Sequence, residues 1–112
     1  MSTISTHVLD TARGTPAGGM SITLEKRVEG EWKRLGGGIT NDDGRVSALV
    51  PEGQIELGVH RMTFGTGSYH ASLGIDGFYP EVRVCFEILA SDEHYHVPLL
   101  ISPFGFSTYR GS

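Results

Sequence analysis

Apolar and polar residues alternate through most of the chain. In MSITLEKRV, Met20, Ile22, Leu24 and Val28 fall on one face of an extended segment, and Ser21, Thr23, Glu25 and Arg27 on the other. In QIELGV, Ile55, Leu57 and Val59 alternate with Gln54, Glu56 and Gly58. EVRVCFEIL turns Val82, Val84, Phe86 and Ile88 inward and Arg83, Cys85 and Glu87 outward. HYHVPLLI sets Tyr95, Val97, Leu99 and Ile101 against His94, His96, Pro98 and Leu100. Each run predicts a half-buried strand. RGTPAGG, VEGEW, NDDGR, PEGQ and SDEH carry the turn formers that separate them. About eight short strands with regularly spaced turns predict an all-β antiparallel sandwich. GTGSYHASLG alone breaks the alternation and predicts one short helix, with Ser68 as N-cap and Gly74 just past its end.

Composition narrows the classes. The 112 residues fit one domain, 1–112, with a core so small that oligomerisation would help it. A hydrophobic content of 38% excludes a disordered chain. The net charge of −4, with no basic stripe, argues against nucleic acid or an anionic membrane as partner. No apolar run approaches the ~20 residues that span a bilayer. MSTISTHVLD lacks the charged and apolar regions of a signal peptide, so a cytoplasmic location is expected. Cys85 has no partner for an internal disulfide and reads as a small hydrophobe on a sheet face.

The chain carries no P-loop, paired CxxC or HExxH. Its five histidines are more informative. His94 and His96 project from the face opposite the core set. If Val8 points inward, His7 and Leu9 point out. After the NDDG turn, Val46, Ala48 and Val50 form a core set that leaves Arg45, Ser47 and Leu49 outside. His7, Arg45 and His96 therefore fall on outer sheet faces. Three readings stay open for them: solvated surface positions, a zinc site using HYH and a third histidine, or acid–base chemistry. An imidazole with a pKa of ~6.5 both takes and gives protons near neutrality, and an arginine holds an anion or a developing oxyanion.

STHVLDTARGTPA, DGRV, FYPEV and HYHVPLLISPFGFSTYRGS, in that order, resemble the transthyretin-related family over essentially the whole chain. The ending Tyr109-Arg110-Gly111-Ser112 resembles its enzymatic branch, the 5-hydroxyisourate hydrolases, rather than the hormone carriers. The resemblance implies a sandwich of two four-stranded sheets with one short helix. It also implies a homotetramer, a dimer of dimers, whose channel is lined by outer-face residues. The implied reaction is hydrolysis of 5-hydroxyisourate to 2-oxo-4-hydroxy-4-carboxy-5-ureidoimidazoline, without cofactor or metal. By the same resemblance His7, Arg45, His96 and Ser112 are the expected catalytic residues at the subunit interface. Tyr109 and Arg110 are implied to join His7, Arg45 and Ser112 in binding this small-molecule substrate, with an ion pair that holds the tail down as the equal alternative for Arg110. His94 is expected as a neighbour at the rim, and Phe104, Phe106 and Tyr109 in an edge strand at the interface. A ligand carrier with an apolar channel is the rival reading.

Overall fold

The computed structural model describes residues 3–46, 49–50, 55–90 and 92–111. Two sheets pack face to face. The first is built on β1 (Thr3–Asp10), β8 (His94–Ser102) and the edge strand β9 (Gly105–Thr108). Two short strands, β2 (Thr15–Pro16) and β5 (Arg45–Val46), share the free edge of β1, so this sheet is four strands wide. The second sheet runs β4 (Glu31–Ile39), β3 (Ser21–Val28), β6 (Gly58–Phe64), β7 (Val82–Ile88). Neighbours pair antiparallel except β1 and β8, which run parallel. The sandwich of two sheets with one helix is the architecture the alternation predicts.

The core lies between the sheets. Ile4 and Val8 from β1, and Leu99 and Ile101 from β8, meet Ile22, Leu24, Met62, Phe64 and Val82 from the second sheet. Burying such a side chain contributes roughly 1.5–3 kcal/mol. β7 and β8 face as their alternation predicts. Elsewhere the sequence reading needs correction. Val28 ends β3 beside a hairpin and is exposed rather than inward. Leu49, expected outside, is buried with Val50, while Ser47 and Ala48 lie outside the described residues. The alternation in QIELGV also breaks: Leu57 is exposed, β6 starts at Gly58, and its core positions are His60, Met62 and Phe64 rather than Val59. Gly58 has φ 122, a conformation that resets the phase of the strand.

Helix α1 (Thr66–Ser72) starts earlier than expected. Its N-cap is Gly65, without a side-chain cap, so Ser68 lies within the helix. Gly74, at φ 70, follows the C-cap Leu73 as the sequence predicts. The Tyr69 hydroxyl donates to the buried Asp10 carboxylate at 2.8 Å, which ties the helix to the end of β1. Asp10 also accepts from the amides of Ala12 and Arg13, both at 3.1 Å, and so shapes the turn out of that strand.

His60 is a polar residue in a core position. It is fully buried and stacks on Phe86 at 5.8 Å between ring centroids. Its Nδ1–H donates to the Gly58 carbonyl at 2.9 Å, and Nε2 has no partner among the described residues. Burial pushes its pKa below the ordinary 6.5, and nearby Lys26 pushes the same way. The unfolded chain then binds a proton that the folded chain refuses, so the stability is present above pH 6.5 and is lost as pH falls below it. The urea midpoint of the wild type is expected to fall between about pH 7.5 and about pH 5, and His60→Phe is expected to flatten that fall. Equal slopes in the two proteins would refute this role for His60.

Candidate active site

The outer face of β1 carries Thr3, Ser5, His7 and Leu9, each partly buried, while the intervening residues fill the core. On β8 the outward set is His94, His96, Pro98 and Leu100. The parallel register places Thr3 beside His94, Ser5 beside His96, His7 beside Pro98 and Leu9 beside Leu100. On the other flank of β1, the antiparallel pairing with β5 sets Arg45 opposite His7. Three of the expected residues, His7, Arg45 and His96, thus share one sheet face although 38 and 51 positions separate them along the chain.

Arg45 reaches that face through the NDDG turn. The Asn41 side-chain carbonyl accepts from the amides of Asp43 (2.9 Å) and Arg45 (3.0 Å). Gly44 has φ 74, and its carbonyl accepts from the Val8 amide at 2.7 Å. A side chain at Gly44 would collide with the Val8 carbonyl, so both space and conformation require glycine there.

The tail closes the other side. After β9 the chain returns to β8, and the Gly111 amide donates to the His96 carbonyl at 2.8 Å. A Cβ at Gly111 would run into the His96 ring, so only glycine brings the tail this close. Arg110 pairs with Glu93 at 2.9 Å and lies over the Tyr95 ring at 4.6 Å, contacts that hold the tail down. Tyr109 is exposed. Tyr109, Arg110, Phe86, Tyr95 and His96 contribute to a cavity of about 240 Å³ at the open edge of the sandwich, which His7 and Arg45 do not line. Ser112 lies outside the described residues.

Ser5 is the residue that sequence reasoning missed. Its hydroxyl stands 2.8 Å from Nδ1 of His96 and 3.2 Å from Nε2 of His94. Thr3 engages the remaining nitrogen, Nδ1, of His94 through its own hydroxyl. The two imidazoles lie nearly parallel, 15° apart, with centroids 6.3 Å apart. The signal is present as two hydroxyl residues at the spacing of the two histidines, but it needs the strand register to be read. With Nδ1 engaged by Ser5, Nε2 is the nitrogen of His96 left for a ligand. Burial lowers the His96 pKa most, the Arg45, His94 and His7 charges lower it further, and contact with Ser5 acts the other way. His96 is therefore a neutral imidazole near pH 7, able to accept a proton. Among the described residues no three of His, Cys, Asp and Glu are grouped to hold a metal ion.

Residues 4–111 match the sequence model of the HIUase/Transthyretin family. The chain belongs to that family. A family relative from Salmonella typhimurium, named 5-hydroxyisourate hydrolase, is 47% identical over 109 residues, 97% of this chain and 80% of its own. The solved Klebsiella pneumoniae 5-hydroxyisourate hydrolase superposes with a TM-score of 0.88 at 38% identity, covering 100% of both chains. Sea bream transthyretin, solved in complex with thyroxine, superposes with a TM-score of 0.92 at 30% identity over 96% of this chain and 93% of its own. The family's fold is thus shared by a 5-hydroxyisourate hydrolase and by a transthyretin solved with thyroxine, and fold alone does not choose a function.

Proposed function

We propose that this protein hydrolyses 5-hydroxyisourate to 2-oxo-4-hydroxy-4-carboxy-5-ureidoimidazoline by histidine-assisted attack of water on a ring amide. One observation carries the choice over a carrier: a sheet face on which two imidazoles and a guanidinium come together. A carrier channel needs apolar walls and has no use for such groups. In the proposed reaction His96, helped by His7, takes a proton from water as its oxygen bonds to the ring carbonyl. Arg45 orients the substrate and stabilises the oxyanion. The ring C–N bond then breaks, and an imidazole returns a proton to the leaving nitrogen. Tyr109, Arg110 and Ser112 complete the substrate site in this reading.

The face is open in one chain, and Leu9, Pro98 and Leu100 lie on it beside the polar groups. A homotetramer, a dimer of dimers, would cover it, turn it into a channel and bring symmetry-related sets together. The test is turnover of freshly generated 5-hydroxyisourate, followed by ultraviolet absorbance against its spontaneous decay. Accelerated decay is expected, and a rate equal to the spontaneous one would refute the reading. Deleting Gly111 and Ser112 is expected to remove most of that activity, because it takes away the bridge to His96. Size-exclusion chromatography of the truncated protein checks that assembly survives.

A further inference from the structure

The polar groups on the site face continue past His96 in a line of hydrogen bonds toward the start of β8. His96 Nδ1 meets the Ser5 hydroxyl, Ser5 meets His94 Nε2, and His94 Nδ1 meets the Thr3 hydroxyl. His94 is exposed, whereas His96 is half-buried. The line therefore runs from the inner imidazole to an imidazole in contact with solvent. Every link is a group that both donates and accepts protons.

We propose that Ser5 and His94 are positioning and proton-relay residues that connect His96 to solvent. The inference rests on reading His96 as the acid–base group of amide hydrolysis. That reaction has a proton to dispose of. Water adds across the C–N bond, its oxygen going to the carbonyl carbon and one proton to the nitrogen. The acid so formed ionises near neutral pH, and a ureido nitrogen is not basic enough to hold the second proton. One proton leaves the site per turnover. It passes to His96 Nε2. The Nδ1–H of His96 then donates to Ser5 Oγ as the Ser5 O–H passes its proton to His94 Nε2. His94 then holds both ring protons and releases the Nδ1 one to water, and proton exchange with solvent returns both imidazoles to their starting tautomers before the next turnover. The low affinity of His96 for a proton, set by its burial and by Arg45, keeps the proton from resting on it.

The test separates relay from scaffold. In weakly buffered solution His94→Gln and Ser5→Ala are each expected to lower kcat by about tenfold with KM little changed. Added imidazole, a mobile proton carrier, is expected to restore kcat of His94→Gln. Ser5→Thr, which keeps the hydroxyl, is expected to stay near wild type. A His94→Gln protein with wild-type kcat in weak buffer would overturn the relay, as would a loss that imidazole does not repair. If instead the wild type fails to hydrolyse 5-hydroxyisourate, or His96→Ala matches it, the underlying functional reading has failed. Wild-type turnover and a dead His96→Ala beside an unaffected His94→Gln mark the failure of the relay alone. Unchanged thermal unfolding of the variants excludes loss of fold as the cause.

Discussion

His96→Ala is expected to lower kcat/KM for 5-hydroxyisourate by about 10²–10⁴-fold, the range that removal of a general acid–base group produces. The reason lies in what the side chain touches. It points away from the core, so the packing of Tyr95 and Val97 on either side is left in place. Its Nδ1 is held by Ser5, and burial and the nearby Arg45 charge lower its pKa, which leaves the imidazole neutral and able to take a proton. The alanine variant should therefore fold, unfold at the wild-type temperature and fail in the chemical step. His7→Ala should lose activity by a similar mechanism, because His7 sits on the neighbouring position of the same face. If the two imidazoles share one proton path, the double variant should cost little more than the worse single variant. Ultraviolet assays of the three proteins, with circular dichroism to confirm the fold, decide the matter. Full activity in both single variants would remove these histidines from the mechanism.

Arg45→Ala is expected to lower kcat/KM by about 10²–10³-fold, as loss of an oxyanion donor does. Arg45 is exposed and opposite His7, and its backbone is fixed by the Asn41 and Gly44 turn rather than by its own side chain. Truncation therefore removes a charge and a set of donors without disturbing the turn. Arg45→Lys should recover only part of the loss, since an ammonium keeps the charge but not the planar fork of a guanidinium. Both kcat and KM should move, because the same group orients the ground state and stabilises the charge that develops later. A change in KM alone would assign Arg45 to binding only. The neutral-pH activity should also respond through His96, whose pKa would rise when the positive charge is removed.

Strands whose two faces differ cleanly in polarity are legible in the sequence. β7 has uninterrupted alternation and a single way to bury it, whereas in β8 the apolar run Val97–Ile101 blurs the outer face although Tyr95, Val97, Leu99 and Ile101 still turn inward. Where a second effect competes, the pattern misleads. Gly58 resets the phase of β6, so a histidine takes the core position that the pattern reserves for Val59. Ser68 has the chemistry of an N-cap, but the helix begins earlier, where Gly67 packs against Pro80 and the Thr66 hydroxyl donates to the Tyr79 carbonyl at 3.2 Å. Of the site, the residue types are visible in the sequence and so is their outward direction. Their convergence is not, because it depends on β1 pairing with β8 in parallel and with β5 in antiparallel register. The Ser5 bridge follows from the same register. At the level of sequence, only the resemblance of the whole chain to a family brings His7, Arg45 and His96 together.

The pairing of β1 with β8 has a further consequence, for the order of events during synthesis and folding. Ser5 and His96 are 91 residues apart in sequence, and β1 is held on its inner flank by β8. β1 must wait for β8, which is made 91 residues later. Closing so long a loop carries an entropy cost before any contact repays it, and topologies dominated by such contacts fold slowly. A nascent chain that has emerged only through β7 can form the β3–β4 hairpin and pair β6 with both neighbours. It has no inner partner for β1, and Ile4 and Val8 lack Leu99 and Ile101 in the core beside them. Chains stopped before residue 94 should therefore expose apolar surface and an open strand edge, the features that draw chaperones or aggregation.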